Sequence, residues 1–120
     1  MESKHSLFKS FKFAFSGLKT AILKGRNFRI QLTIGIVAVT LGIVYKISSF
    51  EWLDLILIIA SVLILELINT AIEEVVNIVS PEIQERAKIA KDVSAGAVLI
   101  ASIASVFIGA FIFLPKIIHF

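Results

Sequence analysis

The twelve residues ELINTAIEEVVN, Glu66 to Asn77, decide how this chain is read, because they continue the apolar run LDLILIIASVLIL at 53–65 without a break. The apolar run suits a helix in lipid, yet it leads straight into Glu66, Asn69, Glu73, Glu74 and Asn77. A helix over 52–79 is about 42 Å long, which exceeds a hydrocarbon core of ~30 Å. With the core beginning near Trp52, Glu66 lies about 21 Å along the axis and Glu73 about 31 Å. Glu73 then stands at the interface, while Glu66 is still inside the hydrocarbon.

Glu66, Asn69, Glu73 and Asn77 fall at i, i+3, i+7 and i+11, so they line one helix face. A carboxylate at the depth of Glu66 is costly to bury and marks a functional site. The competing reading is a hydrogen bond to a neighbouring helix. Such a carboxylate suits the removal of a proton from a group buried at lipid level, such as an alcohol. Glu73 and Asn69, nearer water, suit a cation and oxygen-rich anions, and hard oxygen donors favour Mg²⁺ over zinc. Glu74 lies off the stripe and reads as a solvated surface residue.

The rest of the chain agrees with a membrane setting. Of its 120 residues 58% are hydrophobic, where soluble domains hold about 45–50%, and the mean hydropathy is +0.95. The length allows one domain. The absence of cysteine excludes disulfides, thiol catalysis and zinc-thiolate sites. The N-terminus lacks the apolar core and cleavage site of a signal peptide and is expected to be retained.

The pattern predicts an all-α integral membrane protein with a surface helix and three spans. Region 1–29 is interfacial. Within it, residues 6–24 place Leu7, Phe8, Phe11, Phe15, Leu18 and Ile22 on one face and Lys9, Lys12 and Lys19 on others, as a helix lying on an anionic leaflet requires. The spans are expected at 30–47, 52–79 and 93–114, with a charged link at 80–92. Pro81 suits the first turn of a new helix, and Pro115 is expected to end the last span. Seven basic residues precede the first span and three lie in the link, against only Lys46 and Lys116 on the other side. That asymmetry puts the N-terminus in the cytoplasm and the C-terminus outside, with Tyr45 and Trp52 at the outer interface. It also accounts for the net charge of +3 without a nucleic-acid partner.

At the start of the third span Lys88, Lys91, Asp92 and Ala95 share a face. A lysine there suits phosphates, and Asp92 suits a ribose or an amine; plain anchoring to headgroups is the competing reading. Ser94, Ala97, Ala101 and Ser105 form a small-residue stripe read as helix packing. No glycine-rich Walker loop is present.

Glu66-Leu-Ile-Asn69-Thr-Ala-Ile-Glu73, followed by Ala90-Lys91-Asp92-Val-Ser-Ala-Gly-Ala-Val98, resembles the prokaryotic diacylglycerol kinase family, which includes undecaprenol kinases. The Lys-Asp pair before Ala-Gly-Ala-Val looks more like the undecaprenol kinase branch. The resemblance implies a homotrimer in the bacterial inner membrane that moves the γ-phosphoryl group of MgATP to a lipid hydroxyl. Undecaprenol is the expected acceptor and diacylglycerol the alternative. It places Glu66 at the general base, Glu73 at the metal, Asn69 and Lys91 at phosphates, and Glu82 and Asp92 near the nucleoside. It also places Asn27, Phe28 and Arg29, with Glu66, at the lipid substrate. Relatives usually carry a glutamate just before Asn-Phe-Arg that helps to hold the metal, and here that position is Gly25. A weakly active or non-enzymatic membrane oligomer is therefore a further alternative, as is a cation-binding or cation-conducting one.

Overall fold

The computed structural model describes residues 4–80, 82 and 84–118, and within them all regular structure is helical. Among these residues four helices follow one another: α1 (Lys4–Lys24), α2 (Arg26–Val44), α3 (Ser49–Val79) and α4 (Glu85–Ile118). The last three are long and apolar enough to cross a membrane.

A single residue separates α1 from α2. Gly25 takes an extended conformation, φ −96° and ψ 103°, which turns the chain and leaves the last carbonyls of α1 without helical partners. The Arg29 guanidinium supplies them: its Nη1 donates to the carbonyls of Ile22 at 2.9 Å and Leu23 at 3.1 Å. Helix α2 accordingly begins at Arg26, ahead of the apolar stretch that starts at Ile30.

Between α2 and α3, Lys46 adopts a left-handed φ of 52° and a capping box starts the next helix. The Ser48 hydroxyl accepts from the Glu51 N–H at 3.2 Å, and the Glu51 carboxylate accepts from the Ser48 N–H at 2.9 Å. This reciprocal pair satisfies two otherwise orphaned donors, and α3 starts at Ser49 rather than at Trp52.

Helix α4 absorbs most of the charged link, since it begins at Glu85; Pro81 lies outside the described residues. Pro115 does not end α4, contrary to expectation, and the helix continues to Ile118. Proline removes the backbone donor that would reach the carbonyl four residues earlier, but only one turn follows it. That turn is tied by Lys116, whose Nζ donates to the Ile112 carbonyl at 3.1 Å and to Glu51 at 2.7 Å.

Helices α3 and α4 run antiparallel and form the principal helix pair. Ile47, Leu55, Ile112 and Phe113 make a buried core at the Trp52 end, with Leu41 and Trp52 packed on it. Gly42 permits this, because a Cβ there would come within 2.7 Å of the Trp52 indole. Large apolar side chains elsewhere face outward, among them Ile64, Ile68 and Val75 on α3 and Ile100, Val106 and Phe111 on α4. Lipid is the solvent that such a surface needs. The protein core therefore lies at one end of the spans, and the polar residues of α3 lie at the other.

Replacing Lys116 by methionine removes a charge-assisted bond between the ends of α3 and α4. The expected cost is about 1–3 kcal/mol, read as a lower thermal midpoint of the purified protein in detergent, with Glu51→Gln giving a similar loss.

Candidate active site

Beyond Val62, α3 turns from apolar to polar on the face that carries Glu66, Asn69 and Glu73. Glu66 is 5% exposed. Its neighbour Thr70 donates to the Glu66 backbone carbonyl at 3.0 Å, and that bond leaves the carboxylate alone. No hydrogen bond to the Glu66 carboxylate exists among the described residues, and its oxygens keep access to a cavity. The competing reading, a hydrogen bond from a neighbouring helix, finds no such bond among the described residues.

The cavity measures about 660 Å³. Its α3 wall holds Glu66, Asn69, Thr70, Glu73 and Glu74. Its opposite wall is the α1–α2 corner, with Lys24, Gly25, Arg26, Asn27 and Phe28. Phe28 is buried and supplies an apolar patch facing the acidic stripe. Glu74 is exposed, as expected, but it also forms part of this wall.

Asn69 is fixed from both sides. The Ser94 hydroxyl on α4 donates to its Oδ1 at 2.6 Å, and its Nδ2 donates to the Glu73 carboxylate at 3.4 Å. Ser94 itself is only 9% exposed. From the sequence it read as part of a packing stripe, and nothing there distinguished it from Ala97 or Ala101.

The remaining candidate residues gather elsewhere. Glu82, Lys91 and Asp92 line a second cavity of about 230 Å³, together with Asn77, Ser80 and Lys88. Asn77, fourth on the α3 stripe, thus opens on this second space. Asp92 already accepts from Lys88 at 2.6 Å, an exposed pair of little energetic weight. Arg29 holds the end of α1, as described above, and does not line the Glu66 cavity. The structure brings together Glu66, Asn69, Glu73, Asn27 and Phe28 at one cavity, and it sets Glu82, Lys91 and Asp92 apart at the second.

Fold and cavity define a three-span helical membrane protein with a carboxylate-lined cleft at one end of its spans. The chain belongs to the prokaryotic diacylglycerol kinase family, whose model matches residues 12–113. It is 40% identical over 114 residues to a diacylglycerol kinase of Synechocystis, an alignment covering 94% of this chain and 65% of that protein. It is also 37% identical over 110 residues to the undecaprenol kinase of Bacillus subtilis, covering 92% of this chain and 89% of that one. The diacylglycerol kinase of Escherichia coli K12 is 31% identical over 100 residues, with 83% and 82% covered. This chain thus spans just under two thirds of the Synechocystis protein and most of the other two.

The corner opposite Glu73 leaves no room for a side chain. A Cβ at Gly25 would lie 2.7 Å from the Ala21 carbonyl oxygen and 3.3 Å from the Phe28 Cβ, and a backbone atom does not give way cheaply. Gly25→Ala is expected to destabilise the protein by about 1–3 kcal/mol, seen as a lowered thermal midpoint with the helix content retained.

Proposed function

We propose that this protein is a lipid kinase that moves the γ-phosphoryl group of ATP to the hydroxyl of a membrane alcohol, undecaprenol ahead of diacylglycerol. The observation that carries the proposal is the Glu66 carboxylate, buried, unpartnered among the described residues and open to a polar cavity that it shares with Asn69 and Glu73. Family membership supports the reaction class. The relatives' names divide between the two acceptors, and the Lys91-Asp92 context leans toward undecaprenol.

In this reading the acceptor hydroxyl enters from the lipid side, with Asn27 and Phe28 on one flank and Arg29 bracing the corner behind them. Glu66 accepts the hydroxyl proton as the alcohol oxygen bonds to the γ-phosphorus. The bond from that phosphorus to the bridging oxygen breaks, and ADP departs with the electron pair. Removal of a proton by a positioned base contributes about 10²–10⁴ in rate. Asn69 Nδ2 donates to phosphoryl oxygens from the Glu66 cavity, and Lys91 does so from the second cavity, which a neighbouring copy of the chain brings to the same nucleotide; both stabilise charge during in-line transfer. Glu82 and Asp92 hold the nucleoside, and Asp92 exchanges its Lys88 partner for the nucleotide.

The donor set fits Mg²⁺. Among the described residues no three acidic or histidine side chains converge to enclose a metal. Mg²⁺, however, keeps waters and takes one or two carboxylates together with phosphates. Glu73 supplies a carboxylate, and Glu74 stands on the same wall. When bound, the ion neutralises the phosphate charge that builds up during transfer.

Positive charge on the N-terminal region and on the start of α4 supports a cytoplasmic N-terminus and an outer C-terminus in a bacterial inner membrane. The cavity beside Glu66 is not enclosed by a single chain, and that supports an oligomer. The family resemblance implies a homotrimer.

The purified protein in lipid vesicles, given labelled ATP, excess Mg²⁺ and a panel of lipid alcohols, is expected to label undecaprenol most efficiently. Glu66→Gln is expected to lower transfer by about 10²–10⁴. Absence of label on every alcohol overturns the proposal, and ion flux that depends on Glu66 in its place would favour a cation pathway.

A further inference from the structure

Two cavities lie along the same end of α3, and one side-chain hydrogen bond ties that end to α4. The Ser94 hydroxyl donates to Asn69 Oδ1 at 2.6 Å. Among the described residues it is the only side-chain hydrogen bond joining α3 and α4 at this end of the pair; the other, Lys116 to Glu51, lies at the far end.

The bond has two geometric consequences. The first concerns height. Because α3 and α4 are antiparallel, Lys91, three residues before Ser94, lies about 4.5 Å from it along the axis. Glu73, four residues after Asn69, is displaced about 6 Å the same way. The Ser94–Asn69 contact therefore sets Lys91 nearly level with Glu73 across the helix pair, although the two open on different cavities.

The second concerns polarity. An amide offers an acceptor on one side and two donors on the other. With Oδ1 engaged by Ser94, Nδ2 is turned toward Glu73, 3.4 Å away, and toward the larger cavity. The reverse orientation would set Oδ1 against the Glu73 carboxylate, acceptor against acceptor, and would leave the cavity without its donor.

We infer that Ser94 is a positioning residue for phosphoryl transfer: its hydroxyl holds the Asn69 amide with the donor facing the cavity and keys Lys91 to the height of Glu73. The inference rests on the lipid-kinase reading and deepens it. It assigns to the start of α4 a role that small size alone does not supply. If Ser94 only allowed close approach of the two helices, alanine would serve as well, since it is smaller and favours the helix.

The full chain, reconstituted in lipid, is assayed as wild type, Ser94→Ala, Ser94→Thr, Asn69→Ala and the Ser94→Ala/Asn69→Ala pair. The Asn69 side-chain amide is followed by ¹⁵N spectroscopy on labelled protein. Ser94→Ala is expected to shift the Asn69 amide signals and to lower kcat/KM for ATP about tenfold, as loss of a buried bond to a working group does. Helix content is expected to stay unchanged. Threonine keeps the hydroxyl and is expected to recover activity to within about threefold of wild type, and Ser94→Ala in the Asn69→Ala background is expected to add no further loss. Activity of Ser94→Ala within about twofold of wild type, or an equal loss in both backgrounds, overturns the inference. Wild-type transfer with an indifferent Ser94→Ala sinks this inference alone, whereas a wild type that labels no lipid alcohol sinks the kinase reading and this inference with it.

Discussion

Helices that meet in lipid gain little from burying apolar side chains, because the tails around them are equally apolar. What keys one span to another is close packing of small residues and the few polar bonds that cross between them. In this protein the keyed pair is α3 with α4. One end is held by Glu51 and Lys116, the other by Asn69 and Ser94. Buried Ala101 lies on the α4 stripe between them, and Gln31 of α2 reaches Ser102 of α4 at 3.2 Å. A slip of either helix by one turn would break both end bonds together.

With that register fixed, the positions of the chemical groups follow. The apolar core sits at the Trp52 end, so the polar stripe of α3 is left to face the α1–α2 corner instead of a packed interior. The corner itself is narrow because Gly25 passes close to the Ala21 carbonyl and Arg29 gathers the end of α1. Between corner and stripe lies a cavity whose α3 wall runs from the buried Glu66 to Glu73, about 10 Å further along the axis. A wall that passes from a buried carboxylate to more exposed ones is what the proposed reaction between a membrane alcohol and a water-borne nucleotide requires.

Much of this was legible in the residues. Hydropathy and length located three spans, the i, i+3, i+7 spacing put Glu66, Asn69 and Glu73 on one face, and Glu66 proved to be buried in a cavity wall. The omissions have physical causes. Ser48 and Glu51 form an S-x-x-E capping box that was visible as a motif, but the polar composition of 48–51 read as a link. Helix α4 runs on past Pro115 because a side chain, Lys116, ties its last turn, and local propensity carries no knowledge of that distant partner. Ser94 lay within a stripe of small residues whose common explanation is packing; only the placement of α3 beside it reveals the bond to Asn69. Glu74 lies about 100° around the helix from Glu73, and only the corner opposite gives its side a cavity to face.

On this reading one face of α3 opens to water at a depth where the opposite face meets lipid. The chain has no cysteine, so a single introduced thiol reports on its own surroundings. Thr70 lines the cavity, and Ile68, two residues away and at almost the same depth, faces outward. The most direct measurement is the reaction of Thr70→Cys and Ile68→Cys, in sealed vesicles, with a charged, water-soluble thiol reagent supplied on the side of the N-terminus. Thr70→Cys is expected to react and Ile68→Cys to remain unmodified; equal reaction of both, or of neither, would contradict a water-open face on α3.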